Sequence, residues 1–108
     1  MEDLGLAEMQ AMQRRLREKY EDRWGKLAPE RGREQLLWMI GEAGEVADVI
    51  KKRGDGAIQH EPEIRTHFIE EMCDVLMYFN EVLLCYGVSP EEFRQIYVQK
   101  HERNMSRW

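Results

Sequence analysis

The chain has 108 residues, of which 43% are apolar and 34% charged, with a formal net charge of −5. That length bounds it to a single domain, residues 1–108, with one modest core, and the composition excludes an intrinsically disordered chain. The acidic balance excludes a nucleic-acid-coating protein, yet leaves room for a single nucleotide held through cations, which reverse the local sign of charge.

The opening "MEDLGLAEMQ" is acidic and has no continuous apolar stretch of the signal-peptide kind. A first helix is predicted over about residues 3–24, with Leu6, Met9, Met12, Leu16 and Tyr20 along its apolar side. "GKLAPERG" then interrupts the chain through Gly25, Pro29 and Gly32. A second helix follows from Arg33 to Lys52, with Gly54 and Gly56 as its C-cap and turn.

A third helix is predicted from Pro62, a good first-turn residue, to a point before Gly87. The fourth opens on "SPEE", where Ser89 is the N-cap, Pro90 takes the first turn and Glu92 completes a capping box. These elements predict an all-α four-helix bundle. The most apolar run, "VLMYFNEVLLCYGV", is broken by Asn80 and Glu81 and falls short of the roughly 18–20 residues of a membrane span. Both polar residues are expected to line a polar seam. Cys73 and Cys85 lie about 18 Å apart along one helix, too far to pair, and are expected as buried free thiols of a cytoplasmic protein with no membrane partner.

Helical periodicity gives the second helix a core stripe of Leu36, Ile40, Ala43, Ala47 and Ile50. On nearly the opposite side run Trp38, Glu42, Glu45 and Val49, so two carboxylates share a face with a tryptophan and a valine. The third helix repeats the arrangement: Phe68, Met72, Val75, Phe79, Val82 and Tyr86 form the core stripe, with Glu71, Asp74 and Tyr78 beside it. Packed antiparallel, the two helices would bring Glu42, Glu45, Glu71 and Asp74 together. Four carboxylates in a partly enclosed space repel one another unless protons or a hard divalent cation neutralise them. Gly41 and Gly44, unfavourable inside a helix by about 1 kcal/mol each, leave room beside Glu42 for another backbone, a water or a phosphate.

"GEAGEVADVIKK" followed by "EEMCDVLMYFNEVLL" resembles the MazG-like nucleotide pyrophosphohydrolases, an all-α family whose signature is E-x-x-E, a spacer, then E-x-x-D. Here 25 residues separate Glu45 from Glu71, and the resemblance extends over about residues 24–108. The ending "KHERNMSRW" is similar to that family's phosphate-contacting segment, with Lys100, Asn104 and Arg107 in the contacting positions. The resemblance implies a dimerised bundle that hydrolyses nucleoside triphosphates between the α- and β-phosphates, releasing a monophosphate and pyrophosphate. It implies Mg²⁺, or alternatively Mn²⁺, on Glu42, Glu45, Glu71 and Asp74, with Glu42 or Glu45 accepting a proton from water.

Trp38, like Trp24, is a candidate for stacking on a base, whereas His67 is expected to serve packing or the surface, because an Mg²⁺ site prefers oxygen. The expected partners are the nucleotide and a second copy of the chain, as a homodimer or a pair of dimers. Two other readings stay open: a phosphoribosyl-ATP pyrophosphatase, and a non-catalytic helical dimer whose acidic cluster binds metal. A di-iron bundle is disfavoured, since the E-x-x-H pairs it uses are absent.

Overall fold

A computed structural model describes residues 2–108 as six helices, with no strand among them. They are α1 (Leu6–Lys19), α2 (Glu21–Trp24), α3 (Gly32–Arg53), α4 (Asp55–His60), α5 (Pro62–Cys85) and α6 (Pro90–Arg107), and a 3₁₀ turn, Pro29–Arg31, leads into α3. The all-α class agrees with the punctuation of the chain, with two differences. The expected first helix breaks at Tyr20, whose φ of −112° and ψ of 23° are not helical, and restarts as α2. The segment expected as a turn after α3 holds a helix of its own, α4. Only Gly54 acts as the cap, at φ +86°, a conformation open to glycine, and Gly56 lies within α4.

The later boundaries fall where the local chemistry places them. Pro62 occupies the first turn of α5. At α6 the Glu92 N–H donates to Ser89 Oγ at 3.1 Å, and the Ser89 N–H donates to Glu92 Oε1 at 3.3 Å. The helix is tied to the body by the edge of Phe93 on Phe79, with ring centroids 5.4 Å apart, and by contacts with α1.

The longest helices, α3 and α5, form the central pair. Gln35 faces Glu81, Trp38 stacks on Tyr78 and Glu42 meets Asp74, so numbers rise on α3 as they fall on α5 and the pair is antiparallel. The face that α3 buries is not the expected one. Gly32, Gln35, Val46 and Val49 are buried, whereas Leu36, Ile40 and Ile50 are 41%, 57% and 43% exposed. On α5 the buried residues are Asn80, Glu81, Leu84 and Cys85; Phe68, Val75, Phe79 and Val82 of the expected stripe are half-buried, and Met72 and Tyr86 are exposed. Cys73 is also exposed, contrary to expectation, and both cysteines are free.

A polar requirement explains the rotation. The carboxylate of Glu81 is buried and needs donors, and an unmatched buried charge costs more than an exposed leucine. Gln35 on α3 therefore turns toward it, and so does α1. The buried residues of α1 are Gln10, Gln13 and Arg17, not the expected Met12 and Leu16, which are exposed. Arg17 and Gln13 bond to Glu81, and Asn80 Nδ2 donates to the Leu76 carbonyl at 3.1 Å. The polar seam expected from Asn80 and Glu81 is thus the contact between α1 and α5.

The accessible surface is 8,621 Å², against about 6,300 Å² for a folded monomer of this mass. The radius of gyration is 16.2 Å, against about 13 Å for a compact chain of this length. The excess reflects the uncovered apolar faces of α3, α5 and α6.

Gly32 offers a direct test of the packing. It is helical, so alanine fits its backbone, but a Cβ there would overlap the ring of Tyr86. Gly32→Ala should lower stability by about 1–3 kcal/mol in urea unfolding. In a Tyr86→Ala background most of that loss should disappear.

Candidate functional site

The antiparallel register of α3 and α5 builds an acidic group from both helices. Glu71 and Asp74, three residues apart, share one side of α5, and Glu42 stands at the margin of the α3 face that packs against them. One carboxylate oxygen from each of the three lies within 4.8 Å of the others, and all three residues are half-buried. Two full charges at that separation repel by roughly 3 kcal/mol at an effective dielectric of 20. The repulsion registers on Glu42, whose pKa is raised first by burial and then by the charges of Asp74, Glu71 and Glu45.

The donor set is oxygen only, which suits a hard cation. Ligands at 2.0–2.1 Å from Mg²⁺ lie at most about 4.2 Å apart, so small side-chain rotations close the group around one ion. His67 Nε2 stands 3.8 Å from Glu71 Oε1 on an exposed turn, at the edge of the group. The Tyr78 hydroxyl, one turn beyond Asp74, has its pKa raised by burial first and by the Glu81 and Glu42 charges after it.

Of the four expected carboxylates, Glu45 is not in this group. It is exposed and lies outside the set whose oxygens converge within 4.8 Å, although it neighbours Glu42 on α3 and its charge adds to the rise in the Glu42 pKa. The expected phosphate contacts on α6 are also apart from the group within one chain: Lys100 and Arg107 are exposed, Asn104 is half-buried, and none lines the cleft beside the carboxylates.

Trp38 does line that cleft. It is a space of about 440 Å³ between α1, α3 and α5, lined among others by Trp24, Gln35 and Asp74. Trp38 and Tyr78 form one wall, stacked with centroids 6.4 Å apart and planes within 16°.

The polar residues of the cleft were not anticipated as a site. Gln13 Nε2 donates to Glu81 Oε1 at 2.6 Å, and Arg17 Nη2 donates to Glu81 Oε2 at 3.3 Å. Arg17 Nε lies 3.0 Å from Oε1 as an ion-pair contact with its N–H off the line. With its amide nitrogen toward Glu81, Gln35 donates to that carboxylate and accepts from Arg17 Nη2 at 3.0 Å. The signal was in the sequence: Gln10, Gln13 and Arg17 recur at helical spacing, and Asn80 and Glu81 interrupt an apolar run.

No protein-family model, characterised protein or solved structure matches this chain.

The raised Glu42 pKa has a stability consequence. The folded chain keeps this proton to higher pH than the unfolded chain, so the contribution of Glu42 to folded stability is fully present below the ordinary carboxyl range and is lost as pH rises through the raised value. Metal-free Glu42→Gln should lack that decline and melt a few degrees above the wild type at pH 7. Millimolar Mg²⁺ should raise the wild-type melting temperature and leave that of Glu42→Gln nearly unmoved.

Proposed function

We propose that the chain is an Mg²⁺-dependent nucleotide pyrophosphohydrolase of the MazG-like kind, removing non-standard or surplus nucleoside triphosphates. The observation that carries this reading is the convergence of Glu42, Glu71 and Asp74, drawn from both acidic motifs, with Asp74 also lining a cleft of nucleotide size.

In this reading Glu42, Glu71 and Asp74 hold the cation, with Mn²⁺ able to replace Mg²⁺. The bound ion supplies charge neutralisation on the phosphate oxygens and activation of water. Glu45, free of the three-carboxylate group, is the proton acceptor. Water attacks the α-phosphorus, the bond from that phosphorus to the bridging oxygen breaks, and pyrophosphate leaves with the electron pair. The proton lost by water passes to the Glu45 carboxylate. Trp38 offers the nucleoside a stacking surface.

The reading includes a dimer. A surface some 2,300 Å² larger than a monomer of this mass should show is of the size that permanent dimers cover. Leu36, Ile40, Met72 and Leu76 are among the exposed apolar residues of the central pair that a second copy would bury. Lys100, Asn104 and Arg107 lie outside the cleft of their own chain, so in the dimer they serve the phosphates of the neighbouring copy. Sedimentation should give a dimer or a pair of dimers at micromolar concentration, and an active monomer would remove this part of the reading.

The test of chemistry is pyrophosphate release from a panel of ordinary, deoxy and damaged nucleoside triphosphates with Mg²⁺. Asp74→Ala and Glu45→Ala should each reduce turnover by at least about a hundredfold while remaining folded. Full turnover in both variants would refute the assignment. Melting changes without any turnover in the wild type would favour the non-catalytic metal-binding dimer, and turnover confined to phosphoribosyl-ATP would favour that narrower enzyme.

A further inference from the structure

The Glu81 network sits in the cleft two turns of α5 beyond Asp74, about 10.5 Å along the helix. Gln13, Arg17, Gln35 and Glu81 all line the cleft, and each is more than nine-tenths buried. Burying an ion pair here is costly, and leucine or methionine would fill the same space without charge. What the pair accomplishes is orientation. Both oxygens of Glu81 are taken by internal donors, and Arg17 is held through Nη2, which donates to Glu81 and Gln35, and through an ion-pair contact of its Nε with Glu81.

Some capacity is left over. Gln13 spends one N–H on Glu81 and retains its carbonyl oxygen and second N–H. Arg17 Nη1 has a single long contact, 3.4 Å, to the Trp24 carbonyl, and the guanidinium stands 5.5 Å from the centre of the Trp24 ring. The cleft lining sets Arg17, Arg23 and Arg31 against Glu34, Asp74 and Glu81, with Arg17 paired to Glu81 and Arg31 3.9 Å from Glu34, so it carries no net positive charge for a phosphate. Trp38, Tyr78 and Trp24 on the same lining offer aromatic faces to a neutral, flat ring with hydrogen-bonding edges.

We propose that Gln13 and Arg17 Nη1, held in place by Glu81, form the floor that discriminates among the bases of the nucleotide. Glu81 is a positioning residue: it touches no ligand and acts by fixing the two groups that do. This inference rests on the nucleotide reading of the site and goes further, because it assigns base selection to a pair of helices, α1 and α5, apart from the carboxylates that hold phosphate.

The test is a titration of the full chain with four nucleoside triphosphates and with inorganic triphosphate, each with Ca²⁺ replacing Mg²⁺, followed by tryptophan fluorescence. The wild type should bind one base at least tenfold more tightly than the weakest. Glu81→Gln should shrink that ratio to below threefold while leaving inorganic triphosphate affinity unchanged. Gln13→Met keeps the Arg17–Glu81 pair and should have the same effect, so the test survives if Glu81→Gln fails to fold. Uniform weakening of all four nucleotides, or an unaltered ratio in both variants, overturns the proposal and reduces the network to a structural brace. Tight binding of inorganic triphosphate with no base preference in the wild type overturns it while sparing the carboxylate reading. Base discrimination without triphosphate binding or pyrophosphate release does the reverse.

Discussion

The carboxylate of Glu81 is the constraint around which the rest of the structure is arranged. It lies in the middle of the most apolar segment of the chain and is 5% exposed. Such a group has to be matched by donors on all sides. α5 cannot supply them, so Gln35 comes from α3 and Gln13 and Arg17 come from α1. Three helices separated in sequence are thereby fixed to one atom group. The rotation of α3 about its axis follows from this, as does the burial of a polar face on α1. The Arg17–Glu81 pair adds no great net stability over an apolar equivalent. Its contribution is to allow one arrangement of three helices and not several.

The same rotation decides what remains uncovered. With Gln35, Val46 and Val49 turned toward α5, the Leu36–Ile40–Ala43–Ala47 stripe of α3 faces outward. One chain of this length cannot cover both sides of its central pair, since it has two short helices and one outlying helix left for the task. Exposed apolar residues occurring singly are ordinary, but a stripe at helical spacing on a central helix is not. The acidic group and the apolar stripe lie on different faces of α3, so burial of the stripe against a second copy would leave Glu42 and the cleft open to a ligand.

Helix existence and most boundaries were legible in the sequence because local chemistry determines them. The capping box of Ser89 and Glu92, Pro62 in the first turn of α5 and Gly54 after α3 each act within a few residues. The convergence of Glu42 with Glu71 and Asp74 was legible too, since it needs only spacing and an antiparallel pair. Which face each helix buries was not. α3 is apolar on more than one side, and the choice depended on a hydrogen-bond demand from Glu81, more than thirty residues away. α4 was missed because glycines at 54 and 56 read as a turn, and only the first serves as one. Glu45 was grouped with its neighbours by spacing; it does neighbour Glu42 on α3, but it is exposed and its carboxylate lies outside the three that converge.

Gly41 and Gly44 show where the account of a single chain ends. A Cβ placed on either would meet nothing within 4 Å. Close packing inside the chain therefore does not explain two helix-weakening residues in succession, each unfavourable by about 1 kcal/mol relative to alanine. Gly44 lies on the side of Ile40 and Ala47, the side left bare by the rotation of α3. A helix without side-chain bulk at that position lets another helix approach its backbone, and the flanking leucine and isoleucine supply the contact area. The carboxylates on the other margin of α3 need the opposite, an open approach for ions and phosphate. One helix meets both demands by separating them around its axis, and the buried polar knot at Glu81 sets where the division falls.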